Sequence, residues 1–299
     1  MTDNRFLFGI LLVGVLACGA RDDLIVENSG GGSGGTGGAD GPECLAEVSA
    51  GEDNACARKT DGTLWCWGDN QRGQIGDGTT TDRHAPVEIT ALGAAVAAVS
   101  VGFEHTCAIK TDGTLWCWGD NGFGQLGDGT EQQRLSPIEV ETLGATVAQV
   151  SAGATHTCSI KRDGTLWCWG HNAAGQLGDG TQVEQDSPVE VSALGATVAE
   201  ISVGYMFTCA TKSDRTLWCW GFNAQGQVGT GDTANRPLPA EITAFGATVA
   251  ALSTASLHTC AIQSGRTLWC WGFNGNGALG DGTTVERHSP TQVTELICP

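Results

Sequence analysis

Hydrophobic and polar positions repeat along the chain from residue 45 onward with a fixed period of 51 residues. The segment "TLWCWG" begins at residues 63, 114, 165, 216 and 267. Within each period, short stretches such as "VAAVSVG", "HTCAIK" and "SPIEVETL" mix small, apolar and polar residues in the way that half-buried strands do. No stretch keeps a helical period over a useful length. The pattern therefore predicts four strands in every repeat.

Five such repeats occupy the chain from residue 45 to residue 299. They are residues 45–95, 96–146, 147–197, 198–248 and 249–299. A period of this length indicates a propeller or a solenoid. A β-solenoid usually has shorter repeats and terminal caps, and no caps stand out in this sequence. We therefore predict an all-β fold, a closed β-propeller of five four-stranded blades that occupies residues 44–299.

Paired cysteines flank a predicted hairpin in each repeat. In "CARKTDGTLWC", Cys56 and Cys66 lie symmetrically about Asp61, which requires a three-residue loop over residues 60–62 with glycine at its left-handed position. Counting outward places the two cysteines directly opposite each other, within reach of a disulfide. Zinc would need a second Cys or His pair nearby, and none follows this spacing. The same spacing predicts the pairs Cys107–Cys117, Cys158–Cys168, Cys209–Cys219 and Cys260–Cys270, one disulfide per blade.

Two further cysteines lie at the ends of the repeat region. On the 51-residue register, Cys298 corresponds to Ala94 and Cys44 to Ala95, which are consecutive positions between two blades. Cys44 and Cys298 can meet only if the fifth blade packs against the first. We therefore predict a disulfide between them that closes the ring.

The residues that carry this pattern resemble a known repeat. "VSAGATHTCSIKRDGTLWCWGHNAAGQLGDGT" (residues 150–181) is similar to the regulator of chromosome condensation repeat, which runs S-x-G-x-x-H-T, D-G and W-G-x-N-x-x-G-Q-L-G. The resemblance covers residues 45–299. It implies a propeller, although members of the family most often have seven blades rather than five. It also implies a binding scaffold rather than a reaction.

The N-terminal segment indicates a compartment. "FLFGILLVGVLA" is too short to span a bilayer comfortably and is typical of the hydrophobic region of a signal peptide, which we assign to residues 1–17. "VLAC" resembles a bacterial lipobox with Cys18 as the lipidated residue. Residues 18–43 then form a Gly/Ser-rich tether. The sequence predicts a bacterial lipoprotein held at the cell envelope, on the outer membrane or cell surface. A simply secreted protein is the alternative.

Charge and composition exclude several functional classes. The net charge is −18 and the chain has only 15 Lys and Arg residues, so nucleic acid and anionic membrane surfaces would be repelled. No Ser–His–acid group, activated cysteine or phosphate loop stands out, and we predict a non-enzyme without cofactor or metal. His105, His156 and His258 share one repeat position and are expected to satisfy a backbone group. The Asp- and Gly-rich "GDNGFGQLGDGT" lacks the pattern of a calcium loop and is interpreted as a turn.

Function should lie in the loops that differ between blades. Aromatic and apolar residues in such loops favour protein contacts. We therefore predict a monomeric, surface-anchored scaffold for a protein or another envelope component. A multivalent lectin is the alternative, but a lectin should repeat its site residues in every blade, which these loops do not. The candidate binding residues are Phe103, Phe123, Tyr205, Met206, Phe207, Phe222 and Phe273.

Overall fold

The computed structural model describes residues 45–294. The predicted signal peptide, the predicted tether and three of the cysteines, Cys18, Cys44 and Cys298, lie outside the described residues. Lipidation and the ring-closing disulfide therefore stay predictions. Among residues 45–294, no helix is long and apolar enough to cross a membrane.

Twenty strands form five separate four-stranded antiparallel sheets, and in each sheet the strands follow one another in chain order. The first strands are β1 Leu45–Ala50, β5 Val96–Val101, β9 Val147–Ala152, β13 Val198–Val203 and β17 Val249–Thr254. The second strands are β2 Asn54–Lys59, β6 His105–Lys110, β10 His156–Lys161, β14 Phe207–Lys212 and β18 His258–Gln263. The third strands are β3 Leu64–Gly68, β7 Leu115–Gly119, β11 Leu166–Gly170, β15 Leu217–Gly221 and β19 Leu268–Gly272.

The fourth strands complete the blades, and a single 3-10 turn joins each of the first four blades to the next. The fourth strands are β4 Arg83–Glu88, β8 Arg134–Glu139, β12 Gln185–Glu190, β16 Arg236–Glu241 and β20 Arg287–Gln292. The 3-10 turns are Thr90–Leu92, Glu141–Leu143, Ser192–Leu194 and Thr243–Phe245. The predicted blade architecture, with four strands per repeat, is confirmed.

The hairpin between the second and third strands forms as its turn chemistry predicts. Cys56 lies opposite Cys66 in the register of β2 and β3, and Gly62 in the loop has a φ of 85°. A disulfide joins the cysteines in each of the five hairpins, with Cα atoms 4.1 or 4.2 Å apart. One disulfide per blade is therefore confirmed.

Most of the hydrophobic core lies between blades rather than within one. Each of four clusters combines side chains from two consecutive blades. In the first of them, Trp118 of the second blade is fully buried and its indole Nε1 donates a 2.9 Å hydrogen bond to the carbonyl oxygen of Gln74 in the first. Trp169, Trp220 and Trp271 repeat this bond to the preceding blade. Consecutive blades are thus joined by the same apolar and polar contacts four times.

Ring closure is the part of the predicted fold that residues 45–294 do not show. Strands pack from the first blade through to the fifth. On the face of the first blade that does not pack against the second, however, Val48 is 61% exposed. Val99, at the same repeat position in the second blade, is 6% exposed. Trp67 is only half-buried, unlike its four counterparts. The described residues therefore form an arc of five blades whose first face is open.

The outer faces of the first and fifth blades differ in sequence from the faces that pack between consecutive blades. Four blades have glycine where the fifth has Ala255, and a Cβ added at Gly102 would lie 2.4 Å from the carbonyl oxygen of Gly153. The first blade has Ala55 where the others have a threonine, such as Thr106, that hydrogen-bonds to the preceding blade. A contact between the fifth and first blades cannot simply repeat the interior geometry.

Candidate functional site

Two sets of loops meet at one end of the blades, which we call the upper face. The loops between first and second strands lie beside the loops between third and fourth strands. A backbone hydrogen bond ties the two in every blade, as from the Asp69 amide to the Asp53 carbonyl oxygen (2.9 Å) and from the Phe222 amide to the Met206 carbonyl oxygen (2.9 Å). The loops that vary most between blades therefore share one surface.

A buried asparagine organises each long loop on the upper face. The Oδ1 of Asn121 accepts a hydrogen bond from the Leu126 amide, and its Nδ2 donates to the carbonyl oxygens of Thr130 and Gln132. Asp128 in the same loop accepts from Thr130 and Arg134. Burial raises the pKa of Asp128, but these hydrogen bonds outweigh it and leave the pKa below its ordinary value. The Asp- and Gly-rich segment is thus held by internal hydrogen bonds, as a turn.

Phe103 and Tyr205 form an aromatic bridge on the upper face. They occupy the same repeat position in the second and fourth blades, and their ring centroids are 5.7 Å apart. The third blade, which lies between them, has the buried Ala154 at this position. Tyr205 is 40% exposed. Two large apolar side chains from blades that are not neighbours therefore meet at the surface over a small residue.

The other candidate binding residues divide into surface and core. Phe123, which is 36% exposed, contacts the His171 ring with centroids 4.5 Å apart. Met206, Phe222 and Phe273 are half-buried on the upper face. Phe207 is fully buried in the core between the fourth and fifth blades. It begins β14 at the position that holds histidine in three other blades, so it is not available as a surface anchor.

The sequence analysis expected a backbone partner for the shared histidines, but His105 and His156 each contact a side chain of the next blade. His105 Nε2 and the Thr157 hydroxyl of the next blade are 2.8 Å apart, and His156 makes the same contact with Thr208 at 2.9 Å. Burial lowers the pKa of His105 to about 4 and that of His156 to about 3. Both imidazoles are therefore neutral structural links between blades.

Sequence reasoning missed the acidic part of the upper face. At three repeat positions of the upper face, five of the six residues in the first and second blades are carboxylates, whereas five of the six in the fourth and fifth blades are apolar. The carboxylates are Glu52, Asp53, Asp69, Glu104 and Asp120, which we call the acidic sector. Comparing the five loops position by position on the 51-residue register would have revealed them.

A comparison with protein-family models identifies these repeats. The model described as the RCC1-like domain matches residues 18–298. The chain belongs to the RCC1-like domain family. This confirms the resemblance to the regulator of chromosome condensation repeat.

The curated relatives of this RCC1-like domain include a plant receptor and a human ubiquitin ligase. The ultraviolet-B receptor UVR8 of Arabidopsis thaliana is 34% identical over 84% of this chain and 58% of its own length. The E3 ubiquitin-protein ligase HERC2 of Homo sapiens is 30% identical over 83% of this chain and 5% of its own length. The chain thus spans less than two thirds of either relative.

Solved structures support the same fold for the RCC1-like domain. Human WBSCR16 superposes with a TM-score of 0.75 at 22% identity, covering 84% of this chain and 67% of that one. Yeast Prp20p gives a TM-score of 0.74 at 18% identity, covering 84% and 63%. The arc of five blades is therefore a propeller arrangement shared with these longer chains.

The upper face of this RCC1-like domain combines apolar and acidic side chains. Within residues 45–294, no group of three or more His, Cys, Asp and Glu side chains is arranged to hold a metal ion. What the face presents is a half-exposed aromatic bridge beside a group of carboxylates. Such a surface can recognise another molecule by apolar burial and charge complementarity.

Proposed function

We propose that this protein is a non-catalytic protein-interaction scaffold that binds its partner through the upper face. The observation that carries the proposal is the aromatic bridge of Phe103 and Tyr205. The same position holds Glu52, Ala154 and Ser256 in the other blades, so the fold does not require aromatic rings there. Exposed aromatic side chains that packing does not require are typical anchors of protein interfaces.

We further propose an extracytoplasmic location, with the protein anchored through a lipid on Cys18 and acting as a monomer. Five disulfides, four of them with both cysteines buried, support an oxidising compartment, because reduced thiols prevail in the cytosol. In a Cys18→Ala variant the protein should leave the membrane fraction on centrifugation. Unchanged membrane association would count against the anchor.

The lectin alternative receives no support from the relatives or from the upper face. A ring of similar sugar sites would repeat its aromatic and polar residues in each blade. The bridge position instead carries Glu52, Phe103, Ala154, Tyr205 and Ser256. No nucleic acid is proposed as a partner, since the net charge of −18 would repel it.

The scaffold proposal is tested by affinity capture. The purified protein is used as bait against envelope proteins, in parallel with a Tyr205→Ser/Met206→Ser variant. The matched control is Leu238→Ser/Ile262→Ser, which removes two exposed apolar side chains that lie on strands rather than in the loops of the upper face. We expect a specific partner that the Tyr205/Met206 variant loses and the control retains. Equal capture by all three baits would contradict binding through the upper face.

A further inference from the structure

The upper face changes character from one end of the arc to the other. The first and second blades carry the acidic sector. At the same repeat positions the fourth and fifth blades carry the apolar sector, which consists of Tyr205, Met206, Phe222, Leu257 and Phe273. The third blade lies between them with the small or polar residues Ala154, Thr155 and His171. The side chains on the upper face therefore change from acidic to apolar with blade order, although the repeat gives every blade the same backbone.

The acidic sector carries an unbalanced negative charge. The Arg72 guanidinium lies 3.9 Å from Glu104 and 3.8 Å from Asp120, so one positive charge is set against two of the five carboxylates. Burial, and then the negative charges of Asp53 and Glu104, raise the pKa of Glu52. Asp53 and Glu104 therefore repel Glu52, and a cationic group from another molecule would relieve that repulsion.

The two sectors meet at Phe103 and Glu104. Phe103 reaches toward the apolar sector through its ring contact with Tyr205, while the next residue, Glu104, is exposed and near Arg72. Apolar contact area and negative charge thus adjoin within two consecutive residues. A ligand that spans this junction must present an apolar group and a positive charge close together.

We infer that the upper face binds a polypeptide segment in which an apolar anchor lies next to Lys or Arg side chains. The anchor packs on the aromatic bridge and the apolar sector, and the basic side chains pair with the acidic sector. Nucleic acid and anionic lipid are repelled by these carboxylates. A simple cation would make no use of the apolar sector. The inference rests on the proposed scaffold function and specifies the chemistry of its partner.

The test uses the purified full-length protein and three short synthetic peptides of equal length. One carries a Phe anchor flanked by Lys, the second the same anchor flanked by Glu, and the third Lys flanking a Ser in place of Phe. Binding is measured by fluorescence anisotropy at low and at high salt. We expect the Phe–Lys peptide to bind at least about tenfold more tightly than either of the others, with an advantage over the Glu peptide that shrinks at high salt.

Variants test which sector causes each peptide preference. Glu52→Gln/Asp53→Asn/Glu104→Gln should abolish the preference for Lys over Glu, whereas Tyr205→Ser/Met206→Ser should abolish the preference for Phe over Ser. The matched control Glu88→Gln/Glu190→Gln/Glu241→Gln neutralises three exposed carboxylates on outer strands and should leave both preferences intact.

Several results would overturn the inference. They are equal or undetectable binding of the three peptides, and an equal effect of the control and the acidic-sector variant. If the peptides fail while the Tyr205/Met206 variant still loses a captured partner, the scaffold proposal stands and only the partner chemistry is wrong. If replacing Tyr205 and Met206 changes neither peptide binding nor partner capture, both proposals fail.

Discussion

Gly204 of the fourth blade faces the carbonyl oxygen of Ala255 in the fifth, so closely that an added Cβ would lie 2.7 Å from that oxygen. The same approach joins Gly51 to Gly102, Gly102 to Gly153 and Gly153 to Gly204. The blades can pack at this distance only because their loops carry glycine there. Ala255 is the one residue of the series with a side chain, and it lies on the open face of the fifth blade.

The first prediction tests this close approach. Gly102→Ala should destabilise the protein by about 1–3 kcal/mol, because its Cβ would meet backbone that cannot move without separating two blades. Ala255→Gly, the reverse change on the open face, should alter stability by less than about 1 kcal/mol. Urea unfolding measures both. Similar stability losses for the two variants would mean that the fifth face is packed in solution.

The second prediction concerns two hairpin loops that lack glycine at the left-handed position. Arg215 and Arg266 have φ values of 68° and 62°, in the left-handed region where the first three blades have glycine. Replacing Arg215 by Gly should raise stability by about 0.5–1 kcal/mol, since relief of strain exceeds the added freedom of the unfolded chain. The matched reversal is Gly164→Ala, whose Cβ would lie 2.8 Å from the Ala196 carbonyl oxygen. It should destabilise. A loss of stability in Arg215→Gly would contradict the strain argument.

The strands and the disulfide of a single blade could be predicted from local sequence. The contacts between blades could be predicted less well. The Cys56–Cys66 pairing follows from a three-residue loop with glycine in one position, and both are visible in the sequence. Phe207 was misassigned to a binding loop, although its repeat position is that of the buried His105 and His156. The direction of its side chain depends on where β14 begins, which the letters "YMF" do not reveal. The open first face depends on distances between blades that no single repeat contains.

The third prediction is a loss of stability in mild acid caused by the buried histidines. In the folded protein the pKa of His105 is lowered to about 4 and that of His156 to about 3, from an ordinary 6.5. Because the folded values are the lower ones, the stabilisation is complete above pH 6.5 and is lost as the pH falls toward 4. Each histidine should contribute on the order of 2–3 kcal/mol to this loss. Thermal unfolding across this pH range measures it.

The control for the histidine effect comes from the chain itself. The first blade has Asn54 at the same repeat position, so His105→Asn/His156→Asn introduces a residue that this position already holds. The double variant should be less stable at neutral pH, where the Thr157 and Thr208 contacts are changed, but its stability should vary less between pH 6.5 and 4. An unchanged slope would assign the acid sensitivity to carboxylates instead.

The last prediction concerns the cysteines at the two ends of the repeat region. Cys298 and Cys44 correspond to Ala94 and Ala95, which are adjacent where the first blade continues into the second. If the ends meet, the protein from residue 42 onward should have no titratable thiol until it is reduced. Cys44→Ser/Cys298→Ser should then cost up to about 5 kcal/mol, more than the about 2–3 kcal/mol expected for Cys158→Ser/Cys168→Ser, because the loop it opens is far longer.

The outcome of the thiol measurement also decides what covers the open face of the first blade. A monomer without free thiols on non-reducing electrophoresis would mean that the fifth blade covers Val48 and Trp67, with Ala255 holding the two blades farther apart than in the interior. A disulfide-linked dimer would mean that a second copy covers them. Two free thiols that map to Cys44 and Cys298 would contradict the closing disulfide. In that case no disulfide would join the first blade to the fifth, and stability would come from the hairpin disulfides and from non-covalent contacts between blades.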